Sequence, residues 1–279
     1  MAIFDDTNCE LGEGPLWHPL RNELFWFDIL GMKLHSKGTG ETTTWQFDEH
    51  VSAAGWIDEK TLLIASETCL AKFDIESGES EFVCALEADN PATRSNDGRA
   101  DPWGGFWIGT MGKEAEHQAG AIYRYYRGEL RMLFPNITIT NAICFTPDRK
   151  FAYYTDTRTS IVMRQALDNV NGWPVGEPEV YIDFTDTDFH PDGAVCDVDG
   201  YFWNAQWGTG RVARFAPDGS FVSEVKFTAP QTTCPAFGGP DMKTLMVTSA
   251  AVGTEGDDVG RTFSVEVDVA GPAEPQVIL

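Results

Sequence analysis

The chain has 279 residues and a formal net charge of -23, so it lacks the excess of Lys and Arg that nucleic-acid binding requires. Its 18 Phe, 9 Trp and 27 Gly are typical of a fold with many short strands joined by tight turns. No run approaches 18 consecutive apolar residues, and the sequence therefore predicts no transmembrane helix.

The cysteines and the first residues bear on localisation. None of the six cysteines has CxxC spacing, which argues against a zinc knuckle. The opening "MAIFDDTNCELGEG" has neither the basic nor the apolar region of a signal peptide. We therefore expect a cytoplasmic protein with reduced cysteines.

Six segments with one shared pattern follow one another along the chain. In each, a polar and a small residue precede a short strand, a turn with Asp, Pro or Gly, and a second apolar strand. In order, they are "EGPLWHPLRNELFWFDI", "SAAGWIDEKTLLIAS", "NDGRADPWGGFWIGTM", "NAICFTPDRKFAYYTDT", "DGAVCDVDGYFWNAQW" and "TCPAFGGPDMKTLMVTSA". Their first strands end at Trp17, Trp56, Ala100, Phe145, Cys196 and Phe237, at intervals of 39, 44, 45, 51 and 41 residues. This spacing matches the four-stranded blade of a β-propeller.

The second halves of the repeats also fit four-stranded blades. "CLAKFDIESGESEFVCAL", "GAIYRYYRGELRMLF" and "GRVARFAPDGSFVSEVKF" each predict a hairpin, and no helical periodicity is sustained anywhere. We predict an all-β fold in which residues 1–279 form a single six-bladed β-propeller domain. The terminal segments "MAIFDDTNC" and "TFSVEVDVAGPAEPQVIL" are expected to share the closing blade. Two separate β-sandwiches are the alternative.

The first strand of each blade lines the axis of a propeller, so equivalent positions should form a ring. Four residues before each strand end, every repeat has a side chain with an oxygen atom: Glu13, Ser52, Asn96, Asn141, Asp192 and Thr233. Converging carboxylate and amide oxygens are the ligands of a hard divalent cation. The sequence therefore predicts a metal site on the central axis, with Glu13, Asn141 and Asp192 as the best ligands and Asn96 next.

Turn chemistry is the alternative interpretation of two ring positions. Asn-Asp-Gly at 96–98 and Pro-Asp-Gly at 191–193 are both ordinary turn tripeptides. The common offset in six repeats favours the ring, because turns have no reason to recur in one register. Of the six aspartates in "DFTDTDFHPDGAVCDVDG", only Asp192 lies at the ring position. The others are interpreted as solvated loop and turn residues: Asp183, Asp186, Asp188, Asp197 and Asp199.

Five motifs together resemble the gluconolactonase/regucalcin (senescence marker protein) family of six-bladed propeller sugar lactonases. They are "LGEGPLWHP", "RSNDGRADPWGGFWIGTM", "ITNAICFTPDRKFAYYTDT", "HPDGAVCDVDGYFWNAQWGTGRVARF" and "TTCPAFGGPDMKTLMVTSA", in the family's order and across almost the whole chain. The chain departs from the family at 141–143, where Asn-Ala-Ile replaces the usual Asn-Gly-Leu.

The resemblance implies divalent-metal-dependent hydrolysis of a sugar lactone, an aldono-1,4- or 1,5-lactone, to the aldonic acid. It implies Glu13, Asn141 and Asp192 as metal ligands, with Asp192 also the catalytic carboxylate. Arg94, Asn96 and Glu114 would bind the substrate. The cofactor would be one divalent cation, with Ca, Zn, Mn, Mg and Fe all open.

Other chemistry has little support in the sequence. There is no HExxH motif and no GxSxG elbow, which argues against a zincin or a serine esterase. His18 and His190 flank ligand motifs beside prolines, and Trp207 follows a strand where the pocket mouth is expected. A calcium-binding regulatory protein without turnover and a phosphotriesterase-like propeller remain alternative functions.

Overall fold

The computed structural model describes residues 1–279 and contains 24 β-strands in six antiparallel four-stranded sheets. Blades 1 and 2 consist of β2 (Gly12–His18), β3 (Glu23–Asp28), β4 (Lys33–Lys37) and β5 (Thr43–Gln46), then β6 (Val51–Trp56), β7 (Thr61–Ser66), β8 (Cys69–Asp74) and β9 (Ser80–Ala85). Blades 3 and 4 consist of β10 (Thr93–Ala100), β11 (Phe106–Gly112), β12 (Gly120–Tyr126) and β13 (Glu129–Ile137), then β14 (Thr140–Phe145), β15 (Phe151–Asp156), β16 (Ile161–Ala166) and β17 (Glu179–Asp183).

Blade 5 and the closing blade complete the ring. Blade 5 consists of β18 (His190–Cys196), β19 (Phe202–Trp207), β20 (Arg211–Phe215) and β21 (Phe221–Lys226). Blade 6 combines β22 (Thr232–Gly238), β23 (Thr244–Ser249) and β24 (Thr262–Glu266) with the N-terminal strand β1 (Ala2–Asp5) at its outer edge. The only helical segment is one 3₁₀ turn, Thr157–Thr159, and no helix has the length and apolarity needed to cross a bilayer. The predicted six-bladed propeller is confirmed.

The inner strands of neighbouring blades pack against one another around the axis, including those of the first and last blades. Each predicted strand end falls in the inner strand of its blade, so the spacing of the repeats located the blades correctly. These strands are almost wholly buried because one face meets the axis and the other contributes to the core.

The hydrophobic core is divided into six clusters, each between two neighbouring blades. Between blades 4 and 5, for example, Tyr153 and Tyr181 pack against Phe202 and Phe215. Burying one such side chain contributes roughly 1.5–3 kcal/mol, so blade-to-blade packing is the main support of the ring. Aromatic richness in the sequence therefore reflects these interfaces.

Only the first part of the C-terminal segment lies in the closing blade. Only β24 joins the closing blade, and the residues after it cross the end of the inner strands opposite the ring positions. Backbone N–H groups of Val277 and Ile278 donate to the carbonyls of Trp56 (2.9 Å) and Gly104 (2.8 Å). Glu274 forms a buried ion pair with Arg99. The prediction that the two terminal segments share the closing blade is confirmed for β1 and β24, which pair with each other, but the last residues of the chain bond to blades 2 and 3.

Residues 267–279, which follow β24, are called the C-terminal strap below. Replacing Glu274 by Gln tests how the buried ion pair holds this strap. The side chains of Arg99 and Glu274 are 10% and 7% exposed, so the variant leaves a buried guanidinium without its counter-ion. We expect the free energy of unfolding to fall by about 3–5 kcal/mol in denaturant titrations. The matched control is Glu129→Gln, whose partner Arg131 is 51% exposed. That change should lower the free energy of unfolding by less than about 1 kcal/mol. An equal effect of the two variants would contradict the claim that the buried ion pair holds the strap in place.

Candidate active site

A cavity of about 420 Å³ opens at the end of the axis where the ring positions lie. It brings together five of the six predicted site residues, Glu13, Arg94, Asn96, Asn141 and Asp192. All five are buried, although each has a polar side chain. The sequence placed them in four different repeats, and the propeller makes them neighbours.

The inner strands all deviate from regular pairing near the ring position. Their registers shift between residues 13 and 16, 51 and 53, 95 and 98, 141 and 144, 191 and 194, and 232 and 235. A β-bulge redirects a side chain relative to the strand, so the same irregularity in six blades turns these residues toward the axis. The tripeptides that resembled turns lie within β10 and β18, and the turn interpretation was wrong.

Ala142, next to the ring asparagine, has a backbone conformation that favours glycine. Its φ is 58°, in the left-handed region where a Cβ is disfavoured. Gly14 has the same conformation, with φ 55°, directly after Glu13 in blade 1. Ala142 thus keeps the bulge that orients Asn141, and it buries its methyl group between blades 4 and 5.

A chain of hydrogen bonds fixes the amide side of the cavity. Arg94 Nη1 donates to Asn96 Oδ1 (2.7 Å), and Asn96 Nδ2 donates to Asn141 Oδ1 (3.2 Å). Asn141 Nδ2 then donates to Thr157 Oγ1 (2.9 Å), whose hydroxyl donates to the carbonyl of Pro191 (2.8 Å). The chain runs from blade 3 to blade 5 and ends beside Asp192. It leaves Asn141 Oδ1 with a second lone pair for another partner.

Glu13 and Asp192 form the acidic side of the cavity, and neither forms an ion pair with a basic side chain. The buried ion pairs lie elsewhere: Arg99–Glu274, Arg124–Asp101 and Arg214–Asp197. Burial raises the pKa of Glu13 to about 8, and the nearby Asp97 carboxylate adds to the shift. Burial, then Glu13 and Asp97, hold the pKa of Asp192 well above its ordinary value. The Arg94 guanidinium offsets only part of the cost of burying two carboxylates, and a divalent cation between them would offset more of it.

The donor set fits one hard cation. No group of three or more His, Cys, Asp or Glu side chains in the protein could hold a metal ion. The candidate set instead combines two carboxylates with one amide oxygen, and all three residues line one cavity. Oxygen donors with two negative charges match a divalent cation, while the absence of thiolate and imidazole donors favours hard ions.

Asp97 and Thr157 are polar residues of the site region that the sequence did not single out. Asp97 is buried and its Oδ2 accepts a hydrogen bond from the backbone N–H of Ile143 (2.6 Å), which ties the bulges of blades 3 and 4 together. Burial raises its pKa to about 6. Thr157 lines the cavity and links Asn141 to blade 5. Both act between blades, so no pattern within one repeat could reveal them.

Two ring residues fasten blades and do not line the cavity. Ser52 Oγ donates to Ser95 Oγ (2.8 Å), and Thr233 Oγ1 donates to the carbonyl of Gly12 (2.6 Å). The shared register therefore predicted equivalent positions, near the bulge of each of the six inner strands. It did not distinguish the four that reach the cavity from the two that join neighbouring strands.

The structure does not bring Glu114 to the cavity. Glu114 is exposed in the turn after β11, where its backbone N–H donates to Glu116 Oε2 (3.1 Å). Met111, three residues earlier, is the side chain that this segment contributes to the cavity. A substrate contact by Glu114 remains a prediction without geometric support.

Of the other residues considered in the sequence, His190 and Trp207 line the cavity and His18 lies in the protein interior. His190 and Trp207, paired across β18 and β19, both line the cavity, together with Arg158 from the 3₁₀ turn. His18 is fully buried, and its Nε2 lies 2.9 Å from the carbonyl of Asp58. His18 therefore joins blade 1 to blade 2 and has no access to the site.

Asp197 has a larger role than that of a turn residue. It does begin the turn after β18, but it is fully buried and its Oδ2 accepts from Trp203 Nε1 (2.9 Å) and from Arg214 (2.7 Å). It supports the blade that positions Asp192.

A second, larger cavity of about 630 Å³ lies at the other end of the axis, under the C-terminal strap. Its charged side chains are Arg99, Arg127, Arg149 and Glu274. No set of oxygen ligands converges there, since Glu274 already neutralises Arg99. The smaller cavity is therefore the candidate active site.

Comparison with known proteins identifies the family of the chain. Residues 11–251 match the family model described as the SMP-30/Gluconolactonase/LRE-like region. The chain is 35% identical to the L-arabinolactonase of Azospirillum brasilense, covering 98% of this chain and 93% of that protein. It is 32% identical to the 6-deoxy-6-sulfogluconolactonase of Pseudomonas putida, covering 95% and 94%. The crystal structure of a calcium-binding protein, regucalcin from Agrobacterium tumefaciens, superposes with a TM-score of 0.97 at 40% identity, covering 100% and 97%.

A six-bladed propeller with a polar cavity on its axis is thus the class of protein that fold and site define. The chain belongs to the SMP-30/gluconolactonase/LRE-like family. The family resemblance predicted from the five sequence motifs is confirmed.

The raised pKa of Glu13 predicts how pH affects the cation-free protein. Between about pH 4.5 and pH 8, the folded protein holds a proton that the unfolded chain has released, so its stability falls as the pH rises. A bound cation replaces that proton, and its stabilising effect should therefore be larger at pH 8 than at pH 5.5. Thermal unfolding with chelator or with added Ca²⁺ or Mn²⁺ measures both trends.

Two variants make this measurement specific. Glu13→Gln should lose most of the cation-induced rise in Tm at pH 8, whereas Glu10→Gln, at an exposed neighbouring position, should keep it. An equal cation effect at the two pH values, or an unchanged response of Glu13→Gln, would contradict the assignment of Glu13.

Proposed function

We propose that the protein hydrolyses a sugar lactone, an aldono-1,4- or 1,5-lactone, with one divalent cation held by Glu13, Asn141 and Asp192. Lactone hydrolysis as the class of reaction rests on relatives at 32–35% identity that are named lactonases. The observation that carries the cation and the residue roles is one cavity with two buried, unpaired carboxylates beside an arginine that retains free donors.

A lactone is a cyclic ester, and its hydrolysis transfers one water molecule across the ring C–O bond. The water oxygen bonds to the carbonyl carbon and the ring C–O bond breaks. One proton of the water ends on the former ring oxygen, which becomes a hydroxyl group. When bound, a divalent cation would supply Lewis-acid polarisation and acidify water.

Asp192 is the residue best placed to move the proton. It is buried in the cavity, and a positive charge beside it would favour its ionised form at neutral pH. As general base it would accept a proton from the attacking water, and it would return that proton to the ring oxygen as the C–O bond breaks. Its backbone carbonyl accepts from Asn204 Nδ2 (2.9 Å), which holds the bulge in place.

Arg94 and Asn96 would orient the lactone. Burial lowers the pKa of Arg94 to about 10, so the guanidinium is still charged at neutral pH. Only its Nη1 bonds to the protein, to the carbonyl of Ser95 (2.8 Å) and to Asn96 Oδ1 (2.7 Å). Nε and Nη2 therefore remain as donors for the carbonyl or hydroxyl oxygens of a sugar. Arg94 forms no ion pair with a surface carboxylate.

Asp192→Asn tests the proton-transfer role. The variant keeps the size of the side chain but cannot act as a base, so kcat/KM should fall about 10²- to 10⁴-fold. Acid release from D-glucono-1,5-lactone, corrected for spontaneous hydrolysis, measures the loss. The matched control is Asp199→Asn, at an exposed position of the following turn, which should retain full activity. Retained activity in Asp192→Asn would refute the role.

Removal of the cation tests the other half of the proposal. Chelator-treated protein should lose turnover of aldonolactones, and one or more of Ca²⁺, Zn²⁺, Mn²⁺, Mg²⁺ and Fe²⁺ should restore it. Full activity after chelation would contradict metal dependence. Cation binding without turnover of any lactone would instead favour the calcium-binding regulatory function. The similar Agrobacterium structure is described as a calcium-binding protein.

A further inference from the structure

The arginines without an ion pair have an unusual distribution. The chain has 43 acidic and 20 basic side chains, so most basic groups find a carboxylate. Eight arginines form ion pairs: Arg21, Arg99, Arg124, Arg131, Arg164, Arg211, Arg214 and Arg261. The other four all line the two large cavities, Arg94 and Arg158 in the candidate active site and Arg127 and Arg149 at the opposite end. None of the four has an ion-pair partner, and all four lie where a ligand can enter.

Arg158 has a fixed backbone position at the cavity rim. It lies in the 3₁₀ turn Thr157–Thr159, whose N-cap residue Asp156 accepts the backbone N–H of Arg158 (3.1 Å). The same carboxylate accepts the backbone N–H groups of Thr138 (2.9 Å) and Ile139 (3.1 Å). Thr157 anchors the turn to blade 5. Because these hydrogen bonds fix the backbone of the turn, the exposed side chain of Arg158 can contact a molecule bound in the cavity.

The charges of the side chains that line the cavity indicate the charge of the molecule that binds there. Its only acidic lining residues are Glu13 and Asp192, and its arginines are Arg94 and Arg158. With a divalent cation bound, the two carboxylates are neutralised and the two guanidinium groups are not. The lining side chains then carry a net positive charge in a protein of net charge -23, and the one buried carboxylate of Asp97 beside them does not cancel it. At physiological ionic strength the distant acidic surface is screened beyond about 8 Å, so the local charge dominates for a bound ligand.

We propose that the substrate is an anionic sugar lactone, and that Arg158 is the specificity-determining residue that binds its anionic group. This inference rests on the proposed lactonase function. Arg94, buried in the cavity and hydrogen-bonded to Asn96, would face the lactone, so the anionic group would lie on the substituent remote from the lactone carbonyl. Arg158 can bind a carboxylate or a phosphate there with two parallel hydrogen bonds.

Paired substrates that differ in one group test the proposal. D-glucaro-1,4-lactone carries a carboxylate where D-glucono-1,4-lactone carries a hydroxymethyl group, and 6-phospho-D-glucono-1,5-lactone compares likewise with D-glucono-1,5-lactone. A charge-assisted contact implies that kcat/KM for the preferred anionic lactone exceeds that of its neutral partner about 10- to 100-fold. The two pairs also distinguish a carboxylate-bearing from a phosphate-bearing substrate.

Arg158→Gln should remove this preference. We expect kcat/KM for the anionic lactone to fall at least about tenfold, while that for the neutral lactone changes less than about twofold. Arg149→Gln is the matched control, because it removes an equally exposed, unpaired arginine at the opposite end of the axis. It should leave both values unchanged. A preference for the neutral lactones, or an equal loss on both partners in Arg158→Gln, would overturn the proposal and leave the lactonase function intact.

A binding measurement separates failure of this proposal from failure of the lactonase function. Calorimetry of the cation-loaded protein with D-glucarate and D-gluconate needs no turnover. We expect tighter binding of the dianion, lost in Arg158→Gln and kept in Arg149→Gln. Absence of turnover on every lactone would refute the proposed function, and equal binding of the two acids would refute the role of Arg158.

Discussion

Two carboxylates buried without an ion-pair partner are the constraint on which the active-site end of this propeller depends. Glu13 and Asp192 come from blades 1 and 5, and each lies at a bulge of an inner strand. Burial raises the pKa of both groups, so the site favours either protons or a cation. The surrounding amides and hydroxyls do not neutralise this charge. They fix where it lies.

The architecture makes this arrangement possible because stability and function use different parts of each blade. Six apolar clusters between blades hold the ring together, and the C-terminal strap closes one end of the axis. The ring residues at the other end can therefore be polar and mutually repulsive. The bulges are the local device that turns them inward, and Ala142 adopts a left-handed conformation to keep one of them.

The sequence predicted those features that recur in every repeat. Inner strands share a spacing and a polar position, so the blade count, the strand ends and the ring residues could be read from the repeats. Contacts between blades carry no such pattern. Asp97 bonds to the next blade, Thr157 bridges two blades, and the last residues of the chain bond to Trp56 and Gly104. Arg158 differs from most other arginines only in lacking an ion pair, and ion pairs depend on contacts that the sequence pattern does not show. Glu114 followed from the motif alone, and the turn after β11 leaves it at the surface.

The central claim is that Glu13, Asn141 and Asp192 jointly hold one divalent cation. Anomalous diffraction from crystals grown with Mn²⁺ tests it most directly, because the signal locates the ion independently of activity. The account predicts one strong peak on the axis, within bonding distance of an oxygen from each of the three side chains, and no such peak in crystals of Glu13→Gln. A well-diffracting crystal with no peak between these residues, or with the ion bound elsewhere, would contradict it.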